Sequence, residues 1–384
     1  MDAEFTDEQL MFRNMAGEFA KREIIPTVAQ DDVQERYRAD IIESMANIGL
    51  LGGPIPQDYG GLGMDHICYS LICEEIGGAS AAVFTTSLLT HVSLFQIPIL
   101  KWGNGEQKQW YLPRAARGEL LGSFTFIEPE ADLNALQILA LPEGNTHWLL
   151  NGERPWVSNG GVANNIIALA QTDPAKGFDG ISAFIVERGA PGISTYDEHD
   201  KMGLRACNMA RLSFQNYRVP AENNLGGLGN GFRIAMFASN HACLAIAAAS
   251  VGIAQACLDA AVSHAQQREQ FGKTIGNFHL IQEIVADMTI ETEAARLIVY
   301  RLGHLMDKGN PIDREAPIAR LYATEVAVRA ASKAIQLHGS YGLTVDYPLE
   351  RRYRDAMALR LYQGIPQAQK LAIARNVLKM NAVN

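Results

Sequence analysis

The chain has 384 residues, 48% of them hydrophobic, and a formal charge of −9. That is enough apolar material for a large core shared by two or three subdomains. The acidic balance excludes the surplus of Lys and Arg that a nucleic-acid-binding surface needs. Five cysteines, none in a C-x-x-C pair, fit a reduced, cytoplasmic protein, and no His/Cys cluster has metal-ligand spacing. The acidic opening MDAEFTDEQL has neither a basic n-region nor an apolar h-region, so no export signal is expected.

The first third reads as helical. Thr6 and Gln9 form a capping-box pattern ahead of Leu10, Met11 and Phe12. Ile41, Met45 and Ile48 share one helical face that stops at Gly49. PIPQDYGGLG is a loop, and ICYSLICEEIGG and LLTHVSLFQIPILKWG are further helices. After Gly118 the texture changes to short strand-like pieces: LLGSFTFIEP, NIIALAQT, ISAFIVE and ARLSFQNYRVP. The Asn151-Gly152 pair between two apolar runs predicts a hairpin turn. GGLGNG, from Gly226 to Gly231, lacks the β-α-β context of a dinucleotide loop and reads as a crossover. From Gly231 the pattern is helical to the end. The charge-free stretch 234–258 is rich in small residues and carries Asn240, His241 and Gln255. It predicts a closely packed buried helix, and no membrane span. The expected architecture is α+β and mainly α: a helical domain over 1–119, an antiparallel β domain over 120–228, and a four-helix bundle over 229–384.

Several local strings carry chemistry. GERPWVSNG sets the planar side chain of Trp156 beside the hydroxyl of Ser158 at a strand end. QREQFGK places Arg268 and Phe271 ahead of a helix, and AIQLHGSYG puts Gln336 and Gly339 at a helix end, where bare amides suit a phosphate. Near the C-terminus, LRLYQGIPQAQK breaks one helix and starts another, with Gln363 at the apex.

In this order and spacing, and with KMGLRACNMARLSFQNYRVP and ERRYRDA, these strings resemble the FAD-dependent acyl-CoA dehydrogenase family over essentially the whole chain. The resemblance implies an N-terminal helical, a central β and a C-terminal four-helix domain, with FAD at domain and subunit junctions of a homotetramer, or at least a dimer. It also implies an acyl-CoA or related thioester substrate, with an electron-transfer flavoprotein or O2 as electron acceptor. By position, Phe124, Thr125, Phe126, Ile127, Trp156 and Ser158 would face the flavin. Arg268, Phe271, Gln336, Gly339, Ser340 and Gln367 would hold the diphosphate and adenosine, partly for a neighbouring subunit.

The departures lie on the substrate side. The family's Tyr-Glu-Gly-Thr loop is Tyr362-Gln363-Gly364-Ile365 here, and the alternative base position in SNHACLAIAAASVGIAQ is Ala242. A glutamine amide donates and accepts hydrogen bonds but cannot take up the substrate's α-proton. His91 and His241 are the histidines that could stand in as base, but His91 matches a histidine that many relatives carry alongside their glutamate and so reads as pocket wall rather than base. The substrate-side positions Leu133 and Cys243 also differ from the family pattern, Cys243 standing where an arginine is common. Asn240 and Tyr362 complete the substrate-side set. Three readings follow. The chain is a flavin enzyme with altered chemistry such as oxygenation, a dehydrogenase with an unrecognised base, or a base-less partner subunit of a heteromeric enzyme.

Overall fold

The computed structural model describes residues 5–125 and 138–380; Phe126, Ile127 and Leu133 lie outside the described residues. The helical N-terminal part comprises α1 (Asp7–Phe19), α2 (Val28–Val33), α3 (Ala39–Asn47), α4 (His66–Ala79), α5 (Ala81–Phe84), α6 (Ile97–Trp102) and α7 (Gly105–Ala116). The Thr6/Gln9 capping box is present at the start of α1. Between α5 and α6 the chain is wound as a π-helix, Thr85–Gln96, buried along its whole length. Such i→i+5 winding is rare and concentrates at functional sites.

The central sheet contains β1 (Gly122–Phe124), β2 (Leu139–Glu143), β3 (His147–Ser158), β4 (Asn165–Gln171), β5 (Ile181–Glu187), β6 (Ile193–Asp197), β7 (Met209–Pro220) and β8 (Asn224–Leu225). Its order is β6-β7-β3-β2-β4-β5-β8, with β1 beside β4. Most pairings are antiparallel, but β1 and β2 both meet β4 in parallel, so the sheet is mixed rather than purely antiparallel. The expected turn at Asn151-Gly152 is absent: β3 runs straight through both residues, and the hairpin closes earlier, at Gly144 (φ 62°). The Asn-Gly pair instead marks a register shift against β7, where Asn151 accepts the Asn216 N–H at 2.8 Å.

β4 and β5 are buried on both faces, which explains their continuous apolar runs. Ile167, Leu169, Ile181, Ala183 and Ile185 face the helical body, while Ile166, Ala168, Ala170, Phe184 and Val186 join Leu212 and Phe214 in a separate core.

The C-terminal part contains α8 (Gly231–Gln267), the hairpin β9 (Glu269–Gln270) and β10 (Lys273–Thr274), then α9 (His279–Asp307), α10 (Glu315–His338), α11 (Leu349–Leu361) and α12 (Pro366–Leu378). The segments Ala81–Trp102 and Gly231–Gln267 are long and apolar enough to cross a membrane, but 89% and 83% of their most apolar windows are buried inside the protein. The small residues of α8 have a direct cause. It runs so close to α4 that a Cβ on Gly252 would lie 2.0 Å from the Glu74 carbonyl oxygen.

Candidate active site

Between α11 and α12 the chain reverses over Tyr362, Gln363 and Gly364. Gln363 sits at φ 56° and Gly364 at φ 115°, and Pro366 opens α12. A left-handed residue other than glycine costs on the order of 1 kcal/mol and persists only where its surroundings hold it. Here the holder is Arg320, 1% exposed on α10. Its guanidinium donates to the carbonyls of Gln363 (3.0 Å) and Gly364 (2.8 Å), and also to that of Tyr362. The loop presents the Gln363 amide with both Oε1 and Nε2 buried and with no hydrogen-bond partner among the described residues.

Tyr362 is fixed by its hydroxyl. It donates to Ser158 Oγ at 2.8 Å and lies 3.1 Å from Thr90 Oγ1 on the π-helix. Burial pushes its phenol well above the ordinary range, so it is a neutral donor. Ser123 in turn donates to the Ser158 carbonyl at 2.6 Å, and Asn159 Nδ2 reaches the carbonyls of Thr86 (2.9 Å) and Gly122 (3.2 Å). Trp156 stands at a break in the β3–β7 register with φ 56° and its indole 61% exposed. Trp156 in β3 and Asn159 just after it, either side of Ser158, and Gln363, next to Tyr362, all have positive φ, so backbone strain flanks both partners of the Tyr362–Ser158 bond.

Neither candidate histidine is free to serve as a base beside this loop. His91 accepts the Gly122 N–H on Nδ1 at 3.0 Å and donates from Nε2 to the Ala115 carbonyl at 3.0 Å. Burial lowers its pKa to about 4. Both nitrogens are occupied, and the ring is a neutral strut between the helical body and β1. His241 is half-buried against Phe237 and His66, with ring centroids 4.6 Å and 5.6 Å away. Burial and the neighbouring His66 lower its pKa to about 3. It lies about 200° around α8 from Cys243, and the Cys243 thiol touches Arg320 under the loop. His241 thus faces away from Gln363. Asn240 bonds Asp313 at 3.0 Å. Phe124 packs in the core, and the Thr125 hydroxyl accepts the Leu169 N–H at 2.9 Å.

Of the remaining predicted residues, Arg268, Phe271, Gln336, Gly339 and Ser340 gather at the other end of the C-terminal domain, whereas Gln367 stands four residues beyond Gln363, at the loop itself. His264 and His338 stack at 4.1 Å and tie the ends of α8 and α10 together. This brings Arg268 and Phe271 of the β9–β10 hairpin toward Gln336, Gly339 and Ser340, all of them exposed. Phe271 is 91% exposed at φ 52°. Gly339 has φ 62° and ψ −137°, a conformation reserved for glycine, with open space around it. Gln367 is exposed at the start of α12. Along α8, Arg268 is about 37 Å from Cys243 at 1.5 Å per residue. The two groups therefore sit at separate ends of one chain.

Taken together the residues fit FAD. An exposed indole near a serine hydroxyl suits a flavin ring, and the exposed Arg268 guanidinium suits a diphosphate. The helix end expected to offer bare amides is instead the C-terminus of α10, where carbonyls are left over and the Gly339 N–H is spent on Gln336, so that helix end itself gives a phosphate nothing. A cleft of about 1260 Å³ between α1, α4, α8 and α9 lies elsewhere, and it is lined by ion pairs such as Arg13–Glu75 and Arg296–Glu74. Sequence reading missed Arg320, Thr90 and Asn159. A signal for Arg320 was present, because a lone arginine interrupts the row Ala316, Ala319, Ala323, Ala327 on the buried face of α10.

Comparison with known proteins gives the lineage. Models of the acyl-CoA dehydrogenase N-terminal, middle and C-terminal domains match residues 6–119, 125–217 and 229–378. An acyl-CoA dehydrogenase of Bacillus subtilis is 41% identical, over 97% of this chain and 98% of its own. The structure of butyryl-CoA dehydrogenase from Megasphaera elsdenii superposes with a TM-score of 0.95 at 37% identity, covering 98% of this chain and all of that one. The prolyl acyl carrier protein oxidase AnaB superposes with a TM-score of 0.93 at 30% identity, covering 97% of this chain and all of that one. The chain belongs to the acyl-CoA dehydrogenase family.

Proposed function

We propose that this family member is an FAD-dependent oxidoreductase acting on an acyl thioester, in which Gln363 orients the substrate and nothing at that position removes its α-proton. The observation that carries this reading is the Gln363 amide itself, buried, without a partner among the described residues, on a loop held by Arg320. A buried amide left unpartnered costs about 1–3 kcal/mol. An acyl thioester would offer it a carbonyl acceptor.

FAD is the family's cofactor. When bound, it carries the two electrons: in the preferred reading an external reductant supplies them, O2 takes them, and one oxygen atom enters substrate while the other leaves as water. Trp156 would cover the ring. Ser158, its oxygen held by the Tyr362 hydroxyl, would present a neutral donor beside it, and the lowered pKa of His91 keeps that wall uncharged. Arg268, Phe271, Gln336, Gly339 and Ser340 lie too far along α8 and α10 to serve the same cofactor as Trp156. They would hold the diphosphate and adenosine for a second copy, which makes a dimer or tetramer the working form.

A second reading, dehydrogenation with a base elsewhere in the chain, is supported by the likeness to proteins named as acyl-CoA dehydrogenases. Adding butyryl-CoA under argon to the FAD-loaded protein separates the two. The wild type should keep its yellow flavin, and Gln363→Glu should bleach it slowly. Rapid anaerobic bleaching of the wild type overturns the preferred reading in favour of dehydrogenation. A protein that takes up no FAD overturns both and leaves a partner subunit.

A further inference from the structure

We propose that Arg320 is the positioning residue of this site: its guanidinium dictates where the side chain at position 363 points, and Cys243 is the residue that makes room for it. The inference rests on Gln363 facing the substrate, but it concerns a different residue on a different helix.

Three successive carbonyls, those of Tyr362, Gln363 and Gly364, converge on one guanidinium. At this reversal the convergence is produced by two consecutive positive-φ residues, Gln363 (56°) and Gly364 (115°), just past the end of α11. The planar fork of an arginine matches several acceptors at fixed angles; a lysine ammonium is a point charge and does not. The stem of Arg320 is anchored in the second turn of α10, where its own carbonyl accepts the Thr324 hydroxyl at 2.9 Å. The head reaches toward α8, where the buried Cys243 thiol touches it. Position 243 is where the sequence leads one to expect an arginine. The structure shows the guanidinium arriving at the loop from α10 instead, over a side chain small enough to admit it. Tyr362 is pinned separately by Ser158 and Thr90. The clamp therefore governs Gln363 more than Tyr362.

The test uses FAD-loaded protein and butyryl-CoA as probe. In the Gln363→Glu background the anaerobic bleaching rate reports how well the side chain at 363 is aimed. Arg320→Lys added to that background should slow bleaching at saturating butyryl-CoA about tenfold or more. FAD content and the butyryl-CoA concentration for half-saturation should stay within about twofold. Adding Cys243→Arg, which returns a guanidinium from α8, should recover most of the rate. An unchanged rate, a rate lost together with FAD or butyryl-CoA affinity, or no recovery overturns the proposal. If Gln363→Glu does not bleach at all, it is the placement of residue 363 over the substrate that has failed. The clamp is then read by hydrogen exchange in the otherwise wild-type chain. Faster exchange in Arg320→Lys confined to residues 362–364 supports it, and unchanged exchange overturns it.

Discussion

The Tyr362 hydroxyl lies 2.8 Å from Ser158 Oγ, a bond that joins residues 204 positions apart and ties the α11–α12 loop to the end of β3. It links the β domain to the C-terminal helices at the point where the candidate flavin and substrate surfaces meet. Removing either partner strands the other in a half-buried site. Tyr362→Phe and Ser158→Ala should each cost about 1–2 kcal/mol in urea unfolding, and the double variant should cost less than the two added together. Strict additivity would show that the bond contributes nothing.

Helix packing gives a sharper stability test. Gly252→Ala places a methyl 2.0 Å from the Glu74 carbonyl oxygen, backbone that cannot step aside. The expected loss is about 3 kcal/mol or more, seen as a lowered urea midpoint or as insoluble protein. Gly105→Ala at the start of α7 meets nothing within 4 Å and serves as the control. It should be neutral or gain up to about 1 kcal/mol.

Two buried groups oppose each other in the acid range. Burial lowers His91 to about 4, so on acidification from its ordinary 6.5 the unfolded chain takes up a proton that the folded chain refuses. Stability is lost over that window. Burial raises Asp355 to about 6 against the N–H bond from Leu204, so the folded chain holds a proton that the unfolded chain releases down to about 3.8. Stability is gained on acidification there. His91→Gln should lose about 2 kcal/mol less than wild type between about pH 7 and pH 4.5, and Asp355→Asn about 2 kcal/mol more. Urea midpoints at the two pH values decide it; parallel shifts in all three proteins would contradict both assignments.

Arg268→Ala and Phe271→Ala probe the distant half of the candidate FAD site. Loss of a charge-assisted phosphate contact, about 1.5–3 kcal/mol, should weaken FAD retention roughly tenfold to a hundredfold. Reconstitution titrations of the apoprotein read this directly. Unchanged affinity would place the hairpin away from the cofactor.

The domain order and the buried character of α8 were legible in the sequence because they rest on long periodic patterns. The Asn151-Gly152 turn was misread because a strong local turn signal also suits a bulge, and tertiary pairing with β7 selected the bulge. His91 reads as a plausible base until its two backbone partners, Gly122 and Ala115, are seen at its nitrogens. The positive φ of Trp156, Phe271 and Gln363 leaves no trace in composition. Arg320 depends on a contact across 42 to 44 residues of chain, which helix periodicity can flag as odd but cannot aim.

The two hydrophobic cores divide the molecule differently from its three domains. One core runs unbroken from α1 through α4 and α8 into α10 and α11, while the other is enclosed within the β domain. With α4 and α8 in backbone contact at Gly252, the N- and C-terminal helices cannot swing as separate bodies. Mechanically this is a two-part device whose seam is the face of β4 and β5 that carries Ile167, Leu169 and Ile185. The Tyr362–Ser158 bond crosses that seam, so sliding the β domain along it would break the bond. Loosening the two parts and releasing the loop that carries Gln363 would then be one motion.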